Sequence, residues 1–269
     1  MITAKMIADS ISEYGVRICT LQLKYPRFIH SEFMTHRVFS RSASSSRAIP
    51  VKKMIEQVWN DPATPVHWGK NQSGMQANEQ LEGNSLIAAK LLWKYAGRVA
   101  CLFAMAAVKI GLHKQIANRI LEPWQYINVI VTSTEWDNFF ELRKHPDAQP
   151  EIQQLAKVMF EAIESSSPKL IDHGDWHLPY ITDDEKNLYS TEVLLKASTA
   201  RCARVSYSNH DGTKPNIYKD EDLHDKLLAS RPLHASPAEH QATPGGLDMW
   251  HKNFRGWVQY RDYVEQMIY

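Results

Sequence analysis

The sequence has few cysteines and almost no net charge. Its 269 residues include three cysteines, Cys19, Cys101 and Cys202, which lie far apart and leave one over from any pair. This spacing excludes a disulfide framework and the CxxC pattern of zinc and redox sites. Lys and Arg total 31 against 30 Asp and Glu, so the net charge is +1. That balance argues against a protein that holds nucleic acid through a general phosphate field, although a local site for one small anion is compatible with it.

The sequence also shows no pattern of a signal peptide, of a membrane span, or of several common catalytic and nucleotide-binding motifs. The first 15 residues lack the apolar core and cleavage site of a signal peptide. We expect no membrane span, because the most apolar stretch, 88–110, is interrupted by Lys90, Lys94, Arg98 and Lys109. GxSxG, the P-loop and GxGxxG do not occur, which disfavours hydrolase, NTPase and Rossmann interpretations. The expectation is a soluble protein of a reducing, cytoplasmic compartment.

Hydrophobic periodicity predicts a helix-rich chain with few strands. Residues 2–14 can form a short helix closed by Gly15, and the alternation from Val16 to Tyr25 predicts a strand. The next predicted elements are a helix over 28–35, a loop over 60–84, a long helix capped by Asn84 or Ser85 and ending at Gly111, and a helix over 113–121. They are followed by a strand within 124–134, helices near 136–143 and 148–164, a loop over 165–189, and helices near 191–204, 221–230 and 248–268. This order predicts one α+β domain over residues 1–269.

Positive charge is concentrated in one serine-rich segment. Residues 27–53 contain one acid, Glu32, and six basic residues: Arg27, Arg37, Arg41, Arg47, Lys52 and Lys53. Serine hydroxyls and arginine forks together suit phosphate binding, because they combine point donors with bidentate cations. The alternative is a solvated loop with unrelated arginines.

The segment 234–240 has the pattern of a helix start. Ser236 is a natural N-cap, Pro237 fits the first helical position, and Glu239 completes a capping box. This structural interpretation needs no function. The free backbone N–H groups beside His234 and His240 are an alternative site for an anion.

The cluster at 172–177 holds residue types that bind zinc. Gly174 and Pro179 argue against a regular helix that would place His173 and His177 on one face, and no third ligand has a motif spacing. A polar loop is therefore favoured, and no metal is expected.

The basic, serine-rich segment carries the spaced pattern His36-Arg37-x-x-Ser40-x-x-x-x-Ser45-x-Arg47. Four further blocks stand at 115–123 (Q-I-A-N-R-I-L-E-P), 142–152 (L-R, then D-A-Q-P-E-I), 203–207 (A-R-V-S-Y) and 234–240 (H-A-S-P-A-E-H). Together they resemble the flavin-dependent thymidylate synthases, the ThyX family, whose signature is H-R-x-x-S-x-x-x-x-S-x-R. The block at 115–123 differs from the family's E/Q-x-A-R-x-x-L-P element by one shift in spacing.

The order of these blocks is unusual for the family. In most members ARVSY and HxSPxEH precede the H-R motif, whereas here they follow it. Cyclic order is preserved, so the chain resembles a circular permutation cut just before Val16, with the old ends joined through 165–190. Thr35 stands where the family usually has the arginine that begins R-H-R. Nothing beyond Gln241 has a counterpart, and 241–269 is expected to be a C-terminal helical extension.

The resemblance implies a fold, a reaction and a set of residues. The fold is a helix-rich α+β domain with a small, mainly antiparallel sheet. The reaction is reductive methylation of dUMP to dTMP with FAD as cofactor and methylenetetrahydrofolate and NADPH as co-substrates, without a cysteine nucleophile. Nucleotide contacts are expected from Glu32, Ser45, Ser46, Arg47, Arg119 and Arg143. FAD contacts are expected from His36, Arg37, Asn138, Ser206, His234, Ser236 and Glu239.

Arg143 is the expected catalytic residue, because it would polarise the pyrimidine ring and stabilise negative charge as attack occurs at C5. The resemblance also implies a homotetramer with its sites at subunit interfaces. Two other functions stay open. One is a flavin- and folate-dependent hydroxymethylase or methylase of dUMP or dCMP that makes modified DNA precursors, with which the permuted order and Thr35 are compatible. The other is a non-catalytic nucleotide- or flavin-binding homologue, against which the joint retention of the motif arginines argues.

Overall fold

A five-stranded sheet forms the centre of the fold. The computed structural model describes residues 1–206, 216–229 and 233–268. The strands of this sheet are β1 (Thr3–Ser12), β2 (Arg17–Pro26), β3 (Ser40–Ala43), β4 (Tyr126–Ser133) and β5 (Lys169–Ile171). They lie in the order β3-β4-β2-β1-β5. Neighbouring strands are antiparallel except β1 and β5, which are parallel.

Most of the helices form within segments for which a helix is predicted. They are α1 (His30–Phe33), α2 (Val51–Asn60), α3 (Gly83–Lys109), α4 (Lys114–Ala117), α5 (Asp137–Lys144), α6 (Pro150–Glu164), α7 (Asp183–Leu188), α8 (Thr191–Ala203) and α9 (Ile217–Ala229). Short 3-10 helices span Arg27–Ile29, Asn118–Trp124, Arg204–Ser206 and Ser236–Glu239. The segment 165–189 is not only loop, because it contains β5 and α7. The helix-rich α+β class with a small, mainly antiparallel sheet is confirmed.

The prediction of a helix over residues 2–14 is wrong, because this segment forms β1. Gly15 does not cap a helix but turns the chain at φ +79°, and its N–H donates to the Ser12 carbonyl at 2.9 Å. β1 then pairs along β2, from Thr3 opposite Lys24 to Ile11 opposite Arg17. Pairing with a neighbouring strand outweighs the weak local preference of these residues for a helix.

The C-terminal segment also differs from its prediction. The extension over 241–269, predicted to be helical, begins with the strand β6 (Ala242–Pro244). Within the helix predicted over 248–268, the strands β7 (Trp250–His251), β8 (Phe254–Arg255) and β9 (Trp257–Gln259) come first, and only α10 (Tyr260–Ile268) is helical. Gly256 lies between β8 and β9 at φ +72°, where an added Cβ would stand 2.9 Å from Val16 Cγ2. Both the backbone conformation and the close approach therefore require glycine there.

The two faces of the sheet have different chemistry. On the face that we call the apolar face, Leu21, Leu23 and Val131 are fully buried in one hydrophobic cluster with residues of α5 and α6. On the opposite face, called the polar face, Thr20 and Thr132 stand opposite each other on β2 and β4 and are fully buried. Since side chains alternate along a strand, neighbouring residues of β2 enter these two environments in turn.

Helix α3 is buried on one side only. Ala100, Cys101 and Ala104 pack in a cluster with α2 and the 118–124 segment, whereas Leu92 and Phe103 on other faces are 72% and 65% exposed. By length and apolar composition this helix is long enough to cross a membrane, and 28% of its most apolar window is buried inside the protein. Its small buried residues show that one side serves as a packing surface of the fold.

Candidate active site

The nucleotide residues expected in the serine-rich segment lie beside the 118–124 segment. Asn118 Nδ2 donates to the carbonyls of Ser46 and Ile49, at 2.6 and 2.9 Å, and so fixes the loop that follows β3. Asn118 is fully buried. This amide therefore determines where the loop places Ser46, and with it the neighbouring Ser45 and Arg47.

Glu122 contacts several residues of this region, and the motifs did not predict a role for it. Its Oε1 accepts from Ser46 Oγ at 3.4 Å and lies 3.3 Å from Arg27 and 3.6 Å from Arg119. The structure therefore brings Ser46 and Arg119 together as expected, with Arg27 as an additional cation. The guanidinium of Arg47 is exposed and, within the described residues, has no hydrogen-bond or ion-pair partner.

Arg143, at the end of α5, is held by three residues around α1. Arg143 Nε donates to His36 Nε2 at 3.0 Å, and Arg143 Nη2 donates to Thr35 Oγ1 at 3.3 Å. Glu32 Oε2 lies 3.7 Å from Arg143 Nη1. Residues more than 100 positions apart in the chain thus fix one guanidinium, which is 22% exposed.

His36 acts as a neutral acceptor in this group. Burial, followed by the charges of Arg143 and Arg41, lowers the pKa of His36 to about 4. Because Nε2 accepts from Arg143, the single ring proton of the neutral form resides on Nδ1. The ring also packs edge-on against Phe139, with 4.8 Å between centroids. His36 is therefore rigid and oriented towards Arg143.

Thr35, where the resemblance leads us to expect an arginine, supplies a hydroxyl beside Arg143. Its Oγ1 donates to the Glu32 carbonyl at 2.7 Å and accepts from Arg143. An arginine in this place would set a second positive charge beside Arg143, whereas the hydroxyl accepts a hydrogen bond from it. The departure from the family pattern thus contributes to how Arg143 is held.

The capping box predicted at 236–239 does not form. Ser236–Glu239 is a short 3-10 helix whose N-cap is Ala235, with no side-chain cap. The Glu239 carboxylate instead accepts from Arg261 Nη1 of α10, so a distant cation competes successfully for the expected capping group. A 3-10 turn of this length also gives no support to the anion site considered at its N-terminus.

The remaining residues expected near FAD are exposed or lie outside the description. Arg37, Asn138, His234 and Ser236 are exposed. The side chain of Ser206 and all of Tyr207 lie outside the described residues. Arg37 and Asn138 have no side-chain partner in the part of the chain that the structure describes.

A row of hydrogen bonds crosses the polar face and was not predicted. His177 Nδ1 contacts Ser10 Oγ and His177 Nε2 contacts Thr20 Oγ1, both at 2.8 Å. Thr20 contacts Thr132 at 2.7 Å, and Thr132 contacts His240 Nδ1 at 2.9 Å. His240 Nε2 reaches Ser42 Oγ at 2.9 Å. The row therefore joins the second histidine of the 234–240 block to β3.

Both histidines of this row are neutral. Burial lowers the pKa of His177 and of His240 to about 3. Since both nitrogens of His177 are engaged, it is not available as the zinc ligand considered for 172–177. Among the described residues, no group of three or more His, Cys, Asp or Glu side chains has the arrangement of a metal site.

The C-terminal segment supports the signature motif directly. Asn253 and Gln259 both contact Ser40, with Asn253 Nδ2 to Ser40 Oγ at 3.0 Å and Gln259 Nε2 to Ser40 Oγ at 3.1 Å. Ser40 is the third fixed position of the motif and is buried. Sequence reasoning could not find this contact, because the residues lie 213 positions or more apart.

Comparison with known proteins places the chain in a family. Residues 15–169, more than half of the chain, match the family model for "Thymidylate synthase complementing protein". The chain belongs to this family, the ThyX family, and the resemblance in the motifs is confirmed. The blocks at 203–207 and 234–240 lie outside the matched residues, so the circular permutation stays a prediction.

Solved structures give weaker similarity, and comparison with curated proteins gives no match. The UMP/dUMP methylase PolB from Streptomyces cacaoi, bound with 5-Br UMP, has a TM-score of 0.48 at 18% identity over 60% of this chain and 88% of that chain. Thymidylate Synthase X (ThyX) from Helicobacter pylori with FAD and dUMP has a TM-score of 0.38 at 17% identity over 54% of this chain and 67% of that chain.

Proposed function

We propose that the protein is a flavin-dependent thymidylate synthase that methylates dUMP reductively to dTMP. The observation that carries the proposal is the fixed position of Arg143, oriented by His36 and Thr35 in a chain that belongs to the ThyX family. In this function Arg143 faces the pyrimidine ring and stabilises the negative charge that develops there. His36 keeps the guanidinium in place, because the neutral ring accepts from it without repelling it.

The phosphate of the nucleotide is assigned to the loop after β3. Ser45, Ser46, Arg47 and Arg119 supply hydroxyl and guanidinium donors, which suit a dianion. Glu122 already engages Ser46 and Arg119, so a bound phosphate would have to compete with this carboxylate. Glu32 is paired with Arg143, and in this proposal it contacts the nucleotide from beside that guanidinium.

Two of the residues assigned to FAD offer exposed donors that suit an anionic dinucleotide. Arg37 offers an exposed guanidinium without a partner among the described residues, and Asn138 offers an exposed amide. His234, Ser236, Ser206, Glu239 and His36 complete the assigned set. When bound, FAD would supply the reducing equivalents, and methylenetetrahydrofolate would be the carbon donor and NADPH the reductant.

The state of the cysteines agrees with a reaction that uses no thiolate nucleophile. Cys19, Cys101 and Cys202 are buried and free. Burial raises the pKa of all three thiols, so each stays protonated at neutral pH and is a poor nucleophile.

A second candidate function is favoured by Thr35. The same flavin and folate could transfer a hydroxymethyl or methyl group to dUMP or dCMP. Thr35 stands where the resemblance leads us to expect an arginine, so the charge beside Arg143 differs from the family pattern and a different base or product is compatible with this site. A hydroxymethyl product, which carries one extra oxygen, or turnover with dCMP in place of dUMP distinguishes this function from thymidylate synthesis.

We also propose a cytoplasmic homotetramer, with the exposed side of α3 at a subunit interface. Exposed apolar side chains that lie together mark a contact surface, and on α3 Leu92 and Phe103 are 72% and 65% exposed. Light scattering should give the mass of a tetramer. The variant with Leu92→Glu and Phe103→Glu should shift towards smaller species, and Lys94→Gln, a change of a polar residue on the same helix, should not.

The first experiment asks whether the protein binds flavin. Purified protein with added FAD should show flavin absorbance that remains with the protein on gel filtration. Arg143→Ala should retain this absorbance and lose dTMP formation. A protein without retained flavin, or an Arg143→Ala variant with unchanged turnover, would contradict the proposal.

A further inference from the structure

A groove of about 1090 Å³ lies between α2 and the C-terminal part of α3. Its apolar lining includes Ile55 and Trp59 of α2 and Met105 and Val108 of α3. Trp59, Met105 and Val108 are 39%, 36% and 47% exposed, although they stand in a concave surface. The volume is close to the upper limit of small-molecule sites, and the motifs assign none of these residues to a ligand.

The groove lies on a different flank of α3 from Leu92 and Phe103. A step of two residues turns a helix by about 200°, so Phe103 and Met105 face nearly opposite ways. The stripe that contains Ala100 and Ala104 runs between the two flanks and is buried in the fold. The surface proposed for subunit contact therefore does not include the groove.

The groove has two chemically different ends, because α2 and α3 run antiparallel along it. The Arg98 guanidinium lies 5.2 Å from the ring centre of Trp59, near the end of α2. About one turn further along α3, Cys101 Sγ donates to the Ile55 carbonyl at 3.7 Å. The C-terminal end of α3 therefore lies beside the start of α2.

Positive charge is concentrated where these two helix ends meet. Lys52 of α2, Lys109 of α3 and Lys114 of α4 line the groove there, and Glu56 is the one acid among its described lining residues. Lys114 Nζ donates to the Ala48 carbonyl at 3.2 Å, which holds this cation in place. Lys52 and Lys109 have no hydrogen-bond or ion-pair partner in the part of the chain that the structure describes. Three cations against one carboxylate give this end a positive potential that attracts an anion.

His113 adds a directed donor at the same end. It lines the groove, and its Nδ1 accepts from the Gln115 N–H at 3.3 Å. In the neutral ring the proton therefore resides on Nε2, which is left to donate. An imidazole N–H and ammonium groups together suit a carboxylate, because its two oxygens accept several hydrogen bonds.

We propose that this groove binds a free long-chain fatty acid. The carboxylate lies at the basic end, near His113 and Lys114, and the hydrocarbon chain lies along the apolar wall towards Trp59. A concave wall surrounds a single chain, whereas a membrane presents a flat surface, so the ligand is the free acid and not a bilayer. The site is separate from the proposed reaction, since none of its residues is assigned to the nucleotide or to FAD.

The first test measures how binding depends on the chain and on the head group. Octanoate, decanoate and dodecanoate are titrated into the full chain below their micelle concentrations, and binding is followed by calorimetry. Each two-carbon extension should tighten binding by about tenfold, because two more CH2 groups leave water. Dodecyltrimethylammonium has the same chain with a cationic head, and it should bind more weakly than dodecanoate by about tenfold or more.

The second test places the ligand in the groove. Met105→Glu introduces a carboxylate into the apolar wall and should weaken dodecanoate binding by about tenfold or more. The double variant Lys52→Gln, Lys109→Gln should weaken it by about fivefold, and it serves where Met105→Glu does not fold by circular dichroism. The matched control is Lys90→Gln, Lys94→Gln, which removes two exposed lysines of α3 outside the lining and should change binding by less than about twofold.

Four results would overturn the proposal. They are no binding of dodecanoate to the wild-type chain, affinity that does not rise with chain length, equal affinity for the anionic and the cationic amphiphile, and equal weakening by the two lysine pairs. Binding to vesicles of anionic lipid without binding of monomeric dodecanoate would also overturn it, in favour of a membrane surface. Dodecanoate binding that appears only in the variant with Leu92→Glu and Phe103→Glu would show that a second copy of the chain covers the groove.

Discussion

Both faces of the central sheet bury side chains, but one face buries them in apolar contacts and the other in hydrogen bonds. Leu21 and Thr20 are neighbours on β2, and both are fully buried. Leu21 enters a hydrophobic cluster with α5 and α6, where contacts have no required direction. Thr20 enters a row of hydrogen bonds in which each partner must be correctly oriented. The apolar face thus contributes stability, and the polar face contributes a defined geometry that reaches β3 beside the signature motif.

The largest change in stability is expected from a substitution on the apolar face. Leu21→Ala should lower the free energy of unfolding by about 2–5 kcal/mol, because it removes buried methyl groups and leaves a cavity. Leu21→Ile keeps the volume and should cost less than about 1.5 kcal/mol. Urea titration measures both. A loss for Leu21→Ala no larger than that for Leu21→Ile would contradict tight packing on this face.

The next effect is a pH dependence that belongs to the polar face. An unfolded imidazole takes up a proton near pH 6.5, whereas folded His177 and His240 do so only near pH 3. Protons therefore favour the unfolded state between these values, so stability is complete above about pH 6.5 and falls as the pH drops towards 3. At about pH 5 the expected loss is about 2 kcal/mol for each histidine.

The variant His177→Gln isolates this contribution. It should lose less stability than wild type between neutral pH and about pH 5, because one buried titrating group is removed. His145→Gln is the control, since the His145 side chain is 60% exposed. Equal pH dependence of wild type and His177→Gln would show that His177 does not titrate as a buried group.

The smallest of the three changes in stability is expected from a substitution in the middle of the row of hydrogen bonds. Thr20→Val keeps the shape but removes the hydroxyl, leaving His177 Nε2 and Thr132 Oγ1 without that partner. The expected loss is about 1–3 kcal/mol. Thr20→Ser retains the hydroxyl and should cost less. Equal stability of the valine and serine variants would show that the hydrogen bonds of the row contribute no net stability, which would contradict the loss expected here.

Local patterns in the sequence predicted part of this fold. The strand predicted over 16–25, the long helix predicted to end at Gly111 and the helix predicted near 148–164 all formed. In each case the signal lies in neighbouring residues. The predicted cap of the long helix at Asn84 or Ser85 is wrong, because α3 begins at Gly83 with Glu82 as its N-cap and without a side-chain cap. β1 was missed because its conformation depends on pairing with β2, and the capping box failed because Arg261 competes for Glu239.

The candidate site shows the same limit. The motif blocks named Arg143, His36, Ser46 and Arg119 as candidates, and the structure places each of them in one of the two clusters around Arg143 and Glu122. They did not identify Glu122, His177 or Asn253, whose positions follow from long-range contacts. The third position of the signature, Ser40, is itself held by a segment near the end of the chain. A spacing pattern can name the groups of a site, but the partners that orient them require the folded chain.

The measurement that tests the central claim most directly is the mass of the product. Protein with reduced FAD, methylenetetrahydrofolate and dUMP is incubated, and the nucleotides are analysed by mass spectrometry. The account predicts a nucleotide heavier than dUMP by one CH2 group, with the chromatographic mobility of dTMP, and its loss in Arg143→Ala. A product that also carries an extra oxygen, or turnover with dCMP alone, would contradict thymidylate synthesis and favour the second function.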